Sequence, residues 1–285
     1  MPKTTVERND HSYVDAHGVT IHYYVWKAPK PKAVVQLAHG LGDHALRYDH
    51  VAQALAQAGY SVYADDHRGH GETGITQHAG DKSRLGRLGP GGLRATIAAL
   101  QQFTTIIRAE NPGLPLALLG HSWGSLMAQT IVNTDAEDYE AVVLTGTAYR
   151  TLGDMNGGDL NKGYSTPNEW LSRDPSVAKA FADDPKTFYA DTIKLFGLGD
   201  ALRLLGKPAK KLGRDIPILI MIGSADSLGG EKSVAKLASD YVTRSGLSDV
   251  EAIVYPGARH EIFNETNRDE VIADLVAWLD ARLTA

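Results

Sequence analysis

The chain has 285 residues, a formal net charge of −5 and no cysteine, which suits one large α/β domain or a domain that carries an insertion. Its Lys and Arg residues are scattered rather than clustered, which argues against nucleic acid as a partner, and the absence of cysteine excludes disulfides, thiolate chemistry and cysteine-ligated metals. The first residues contain no apolar signal-peptide core and no apolar run is long enough to span a bilayer, so we expect a cytoplasmic protein without an integral membrane segment.

Strands and helices alternate along most of the chain. A hairpin is predicted first, in which 12–15 pairs with 19–26. Nearly continuous apolar runs then indicate strands that are buried on both faces, at 33–38, 61–65, 116–119, 141–145, 216–222 and 252–255. Helices are predicted at 48–58, 91–109, 125–132, 231–244 and 268–283. This alternation predicts an α/β fold with a mostly parallel, twisted sheet covered by helices on both faces.

The segment 148–212 interrupts the alternation. Gly, Asp, Asn and Pro break it into short pieces that carry aromatic and leucine side chains. It directly follows the strand 141–145, at the edge of the sheet where loops usually build the binding site. We therefore interpret 148–212 as a cap, or lid, inserted into a core made of 1–147 and 213–285.

The sequence Gly120-His121-Ser122-Trp123-Gly124 lies between a predicted strand and a predicted helix. A G-x-S-x-G turn in that setting lifts the serine hydroxyl above the sheet on a strained backbone, and its glycines let the strand and the helix approach closely. Because such a pentapeptide also occurs by chance, the assignment of Ser122 as a nucleophile requires a base, an acid and an oxyanion hole elsewhere in the chain.

Asp226 and His260 each follow a predicted strand at the edge where Ser122 lies. Histidine is the usual base that activates a serine, and a carboxylate can hold the imidazole in the required tautomer. Taken singly, Asp226 could be a turn former and His260 a solvated loop residue. The order Ser122, Asp226, His260 is nevertheless that of the α/β-hydrolase triad, so we predict these three as catalytic residues.

Two backbone N–H groups are candidates for the oxyanion hole. One belongs to Trp123, directly after the nucleophile, and the other to Leu41, in a glycine-flanked loop after an early strand. An ordinary strand-to-helix turn is the alternative interpretation of that loop. Histidines at 39, 44, 67 and 70 lie in loops that already have an explanation, and no H-E-x-x-H motif occurs, so we predict neither a metal nor a cofactor.

Four segments together resemble the monoacylglycerol lipase and lysophospholipase-like branch of the α/β-hydrolases. They are HGLGDH at 39–44, DHRGHG at 66–71, GHSWGS at 120–125 and PGARHEIFNE at 256–265. The resemblance implies a serine esterase that acts on single-chain esters such as monoacylglycerols or lysophospholipids. It also implies the roles given above for the triad and for the two oxyanion donors. Many members carry methionine and glycine where this chain has Trp123 and Ser125.

The cap carries more apolar side chains than a solvated loop would. We expect several of them to bind the acyl chain of a small-molecule ester substrate, and the candidates are Leu152, Met155, Trp170, Phe181, Phe188 and Phe196. Packing of the cap onto the sheet is the alternative role for these side chains. The oligomeric state stays open.

Other functions also stay open. Acidic cap residues could hold the ammonium group of a peptide in a serine aminopeptidase of the proline iminopeptidase type, and the candidates are Glu169, Asp174, Asp183 and Asp184. A carboxylesterase for small substrates is a further alternative. A binding protein of this fold that has lost turnover usually lacks a triad member, and none is missing here.

Overall fold

One sheet of eight strands runs through residues 5–283, the part of the protein that this computed structural model describes. The strands are β1 Arg8–Val14, β2 Thr20–Trp26, β3 Ala33–Ala38, β4 Tyr60–Asp65, β5 Leu116–His121, β6 Ala141–Thr145, β7 Ile218–Gly223 and β8 Val250–Tyr255. Their order is β1-β2-β4-β3-β5-β6-β7-β8. The pairs β1/β2 and β2/β4 are antiparallel, and the neighbours from β4 to β8 are parallel. The prediction of a mostly parallel sheet is therefore confirmed.

Helices cover both faces of this sheet. They are α1 Asp49–Gln57, α2 Gly71–Gln77, α3 Gly92–Glu110, α4 Trp123–Asp135, α5 Pro175–Asp183, α6 Thr192–Arg203, α7 Gly230–Thr243 and α8 Arg268–Leu283. One hydrophobic cluster joins α3, α4 and α7 to the sheet, and a second joins α1 and α8 to the opposite face. Leu118 belongs to the first cluster and Leu119 to the second, because successive side chains of a strand point to opposite faces.

Two elements differ from the sequence prediction. The first strand of the hairpin begins at Arg8, because β1 pairs in register with the whole of β2 although its own side chains are mostly exposed and polar. The helix α2 is absent from the sequence prediction. It starts at Gly71, whose φ of +51° and close contact with the Asp66 carboxylate suit only glycine, so its sequence lacks an ordinary helix start signal.

The parallel strands carry the candidate site residues to one edge of the sheet. The residues that follow β3, β5, β7 and β8 all leave the sheet at its carboxyl edge, because these strands run in the same direction. This places the loop at 39–42, Ser122, and the loops that contain Asp226 and His260 along one side of the molecule. Ligands of open α/β sheets bind at this edge.

The segment between β6 and β7 lies at the same edge. It contains a 3₁₀ turn at Glu169–Leu171 and the helices α5 and α6. The helix α6 is interrupted at Gly197, whose φ of 76° and ψ of 164° are not helical. None of the helices within 5–283 combines the length and apolar character needed to cross a membrane.

Candidate active site

Ser122 occupies a strained turn between β5 and α4. Its φ of 52° and ψ of −121° lie outside the regions that L-residues favour. The turn is tight because both flanking glycines are packed against backbone: a Cβ at Gly120 would lie 2.7 Å from the Gly124 carbonyl oxygen, and one at Gly124 would lie 2.2 Å from that of Ala38. Only glycine fits at these two positions. The serine side chain is thus presented at the carboxyl edge of the sheet.

Asp226 and His260 meet in a buried hydrogen bond. His260 Nδ1 lies 2.9 Å from Asp226 Oδ1, and the two residues are only 2% and 5% exposed. The same Oδ1 accepts the Leu228 N–H at 2.9 Å, which fixes the carboxylate. Since a carboxylate accepts, the imidazole carries its proton on Nδ1 and offers the Nε2 lone pair. This is the tautomer that can take a proton from a serine.

The remaining surroundings of His260 orient its ring. The ring of Trp170 lies 4.5 Å from that of His260, and the ring of His121 lies 4.9 Å from it. His260 Nε2 is buried and has no hydrogen-bond partner among residues 5–283, so Ser122 and His260 are not hydrogen-bonded in this structure. Such catalytic hydrogen bonds often form only when substrate is bound.

The loop at 39–42 runs directly beside the serine. A Cβ at Gly40 would lie 3.2 Å from Ser122 Cβ. The loop is held by a 2.7 Å hydrogen bond between His39 Nδ1 and the Gly40 oxygen, and the Gly42 oxygen accepts the Phe188 N–H at 3.1 Å. The peptide of Leu41 is therefore fixed on both sides, close to Ser122.

Trp123 forms part of an aromatic cluster next to the serine. Trp123 is 2% exposed, and its ring stacks on the ring of His70 at a centroid distance of 5.1 Å. The ring of Phe196, in the segment 148–212, lies 5.2 Å from the ring of Trp123. Phe188 lies 5.0 Å from His70. The structure thus brings Phe188 and Phe196 into the aromatic cluster that contains Trp123, the residue after Ser122.

The other predicted acyl-binding residues are spread out. Trp170 covers His260, Phe181 stacks under the Arg47 guanidinium at 4.9 Å, and Met155 packs at the border of the core. Leu152 is 82% exposed. A side chain that lies in water contributes no wall to a pocket, so Leu152 does not line an acyl site in this structure, contrary to the prediction.

The histidines of the loops take part in hydrogen bonds and ring packing within the protein. His39 Nε2 accepts the His67 N–H at 3.0 Å, and the rings of these two residues stack at 3.9 Å. Burial lowers the pKa of His70 to about 3 and holds the pKa of His39 well below its ordinary value. Within 5–283, no three His, Asp or Glu side chains are grouped so that they could hold a metal ion.

One feature of the site has no signal in the sequence pattern. Four buried polar residues behind the serine, namely Ser125, Gln129, Thr147 and Arg150, form a continuous chain of hydrogen bonds. Their residue types suit a solvent-exposed helix face equally well. Only the three-dimensional arrangement shows that they lie side by side.

Comparison with known proteins gives consistent results. The family described as Hydrolase_4, serine aminopeptidase S33, matches residues 29–267. A monoacylglycerol lipase of Mycolicibacterium smegmatis is 32% identical over 97% of this chain and 98% of that protein, and a monoglyceride lipase of Rattus norvegicus is 26% identical over 95% and 90%.

Solved structures extend the likeness to the whole fold. A thermostable carboxyl esterase from Bacillus coagulans superposes with a TM-score of 0.83 at 26% identity, over 98% of this chain and 100% of that one. A soluble variant of a monoglyceride lipase from Saccharomyces cerevisiae superposes with a TM-score of 0.76 at 21% identity, over 100% and 97%. At that identity the second likeness concerns the fold alone.

Proposed function

The chain belongs to the serine aminopeptidase S33 (Hydrolase_4) family of α/β-hydrolases, and from this premise we propose that Ser122, His260 and Asp226 are its catalytic triad. The lipase relatives and the esterase structures make it a monoacylglycerol lipase-like serine hydrolase of carboxylic esters, with a small-molecule ester as substrate. The observation that carries the assignment is the buried His260–Asp226 pair at the sheet edge where Ser122 occupies its strained turn.

The proposed reaction proceeds in two steps. His260 Nε2 takes the Ser122 proton while Ser122 Oγ attacks the ester carbonyl, and the proton then passes to the leaving alcohol as the acyl-enzyme forms. In the second step His260 takes a proton from the attacking water, the bond between the acyl carbon and Ser122 Oγ breaks as this proton passes to Oγ, and the carboxylic acid is released. Asp226 stabilises the imidazolium in both steps without itself taking the proton.

The N–H groups of Leu41 and Trp123 are proposed to bind the oxyanion. Trp123 is the first residue of α4, and the N–H groups of the first helical turn have no partner inside the helix. The positive end of the helix dipole also favours negative charge there. Leu41 lies in the loop that passes within contact distance of Ser122, so both N–H groups belong to backbone next to the nucleophile.

We further propose that the natural substrates are monoacylglycerols or similar single-chain esters. The segment 148–212 would act as a cap whose residues Phe188 and Phe196 bind the acyl chain, because their rings border the aromatic cluster around Trp123. Trp170 would cover the alcohol side through its contact with His260. A cytoplasmic location stays a prediction from the sequence that cell fractionation can check.

The acidic cap residues do not favour an aminopeptidase. Glu169 accepts hydrogen bonds from the backbone of Ser165 and Thr166, and Asp174 caps α5 through the Ser176 N–H. The other two carboxylates are paired with basic side chains, Asp183 with Lys179 and Asp184 with His44. Each of these carboxylates already has a partner within the protein.

Assays with ester and peptide-like substrates test the proposal directly. The purified protein should hydrolyse p-nitrophenyl octanoate and 1-oleoylglycerol and should release no p-nitroaniline from prolyl- or leucyl-p-nitroanilide. Faster release from an aminoacyl anilide, with loss of that activity when the amine is acetylated, would establish the peptidase instead. Hydrolysis of p-nitrophenyl acetate without any activity on 1-oleoylglycerol would leave a small-substrate carboxylesterase.

A further inference from the structure

The carbonyl oxygen of Ser122 accepts two hydrogen bonds. The Leu126 N–H donates at 3.1 Å, as in the first turn of a helix, and the Ser125 hydroxyl donates at 2.6 Å. Ser125 is fully buried, so water does not compete for this bond. The peptide unit that joins Ser122 to Trp123 is therefore held at its carbonyl end by a side chain.

Ser125 is the last member of a chain of buried polar groups. Its hydroxyl lies 2.7 Å from Thr147 Oγ1, which accepts from Gln129 Nε2 at 2.9 Å. The Ser125 hydroxyl thus has two acceptors, the Ser122 oxygen at 2.6 Å and Thr147 Oγ1 at 2.7 Å. Because Thr147 Oγ1 also accepts from Gln129, it ties the Ser125 hydroxyl to the rest of the chain of polar groups. The position of the Ser125 oxygen beside the Ser122 carbonyl is therefore fixed on both sides.

A buried arginine stands at the other end. Arg150 is 3% exposed, and its Nε donates to Gln129 Oε1 at 3.2 Å. Its Nη1 donates to Thr130 Oγ1 at 2.6 Å and to the Leu204 oxygen at 3.2 Å. No carboxylate among residues 5–283 pairs with this cation. The cation is therefore compensated by the oxygen dipoles that face it, and it fixes the side chain of Gln129, which in turn donates to Thr147.

From this geometry we propose that Ser125 and Thr147 are positioning residues for the oxyanion hole, and the inference rests on the function proposed above. The C=O of Ser122 and the N–H of Trp123 belong to one planar trans peptide and point in opposite directions. A group that fixes the C=O therefore aims the N–H. Donation to the C=O also polarises the amide, which makes its N–H a stronger donor to the negative oxygen of the tetrahedral intermediate.

The test compares Ser125→Ala and Thr147→Val with Thr147→Ser, which keeps the hydroxyl, and with Ser61→Ala as a matched control. Ser61 is also a buried serine, 1% exposed, and its Oγ accepts the Ala28 N–H far from the site. For each variant we would measure kcat/KM for p-nitrophenyl octanoate. We would also measure the inhibition constants of a trifluoromethyl ketone, which adds Ser122 Oγ to its carbonyl and forms an oxyanion, and of an ether analogue that cannot react.

Ser125→Ala and Thr147→Val should each lower kcat/KM about ten-fold, a fraction of the ~10²–10³ loss that follows removal of an oxyanion-hole donor. The inhibition constant of the trifluoromethyl ketone should rise by the same factor, and that of the ether should not change. Thr147→Ser should keep most of the activity of the unsubstituted protein. Ser61→Ala should have the same kcat/KM and the same inhibition constants as the unsubstituted protein.

Two results would overturn the inference. The first is that Ser125→Ala and Thr147→Val leave kcat/KM and the affinity for the ketone unchanged. The second is that these variants lose affinity for the ketone and for the ether equally, which would indicate general damage to the fold. Ser122→Ala, measured beside them, separates this inference from the proposed function. If Ser122→Ala keeps its activity, the triad itself is wrong.

Discussion

His260 Nδ1 lies 2.9 Å from Asp226 Oδ1, although 34 residues separate the two in the sequence. The sheet creates this contact: β7 and β8 are parallel neighbours, with Gly223 opposite Tyr255, so the loops that follow them leave the same edge side by side. The contact is buried, and the carboxylate is held by a second, backbone donor at Leu228. The pair is therefore built to keep one imidazole tautomer.

Replacement of Asp226 by asparagine should lower kcat for p-nitrophenyl esters by about 10⁴, the scale of the comparable change in another serine hydrolase triad. The amide can donate to Nδ1, which stabilises the wrong tautomer. Asp215→Asn is the control, because Asp215 precedes β7 at the opposite edge and bonds to Ser248. A nearly normal kcat in Asp226→Asn would exclude this carboxylate as the acid.

Ser122→Ala should abolish ester hydrolysis, and its melting temperature should stay within a few degrees of that of the unsubstituted protein. The change removes one oxygen and keeps the Cβ, so neither the core nor the backbone strain at this residue changes. The variant should also resist labelling by a fluorophosphonate, which reacts with an activated serine. Ser83→Ala, at an exposed serine bonded to Asp81, serves as the control for both measurements. Turnover or labelling that persists in Ser122→Ala would point to a different nucleophile.

Stability should fall as the pH drops below about 6.5, the ordinary pKa of histidine. Burial holds the pKa values of His39, His70 and His121 below that value in the folded protein. The unfolded chain therefore binds protons that the folded chain does not, so the stabilisation is complete above about pH 6.5 and is lost as the pH falls. Each such histidine contributes a slope of up to ~1.4 kcal/mol per pH unit.

The variant His70→Phe tests how much one histidine contributes to this pH dependence of stability. Phenylalanine keeps a ring against Trp123 and Phe188 but has no titrating group. Urea unfolding between pH 6.5 and 5 should show a slope against pH that is smaller by up to ~1.4 kcal/mol per unit than in the unsubstituted protein. An identical slope would mean that His70 titrates normally in the folded state.

Much of the fold could be predicted from the sequence because a parallel sheet needs apolar residues on both faces. The predicted strand 33–38 matches β3, and the terminal helix matches α8. That Ser122, Asp226 and His260 lie at one edge could be predicted for a related reason: each of them follows a strand, and parallel strands share an edge. The family and the ester hydrolase activity are confirmed by the comparisons, whereas the roles of individual residues stay predictions.

The rest could not be predicted because local patterns do not encode it. Polar β1 is a strand only because it pairs with β2. In the segment 148–212, Phe196 and Leu198 both belong to α6 and look equivalent in the sequence, yet one packs against Trp123 and the other is 63% exposed. The series of hydrogen-bonded side chains that runs from Arg150 to Ser125 consists of ordinary polar residues, and their contacts form only in the folded protein.

The acyl-binding role that we propose for the cap leads to a prediction about chain length. If the cluster around Phe188 and Phe196 binds the acyl chain, each buried methylene should gain up to about 0.8 kcal/mol, or roughly four-fold in kcat/KM, until the chain extends beyond this apolar surface. The ratio of kcat/KM for p-nitrophenyl decanoate to that for the acetate measures this gain.

Phe196→Ser and Phe188→Ser should reduce this ratio about ten-fold, because only the longer chain uses the apolar surface that these substitutions remove. Leu198→Ser is the matched control: it changes an apolar side chain of the same helix as Phe196, but one that already lies in water, so the ratio should stay as in the unsubstituted protein. Equal losses for decanoate and acetate in Phe196→Ser, at an unchanged melting temperature, would show that the cap does not bind the acyl chain. The cluster would then only pack the cap onto Trp123, and the small-substrate esterase would become the better description of this enzyme.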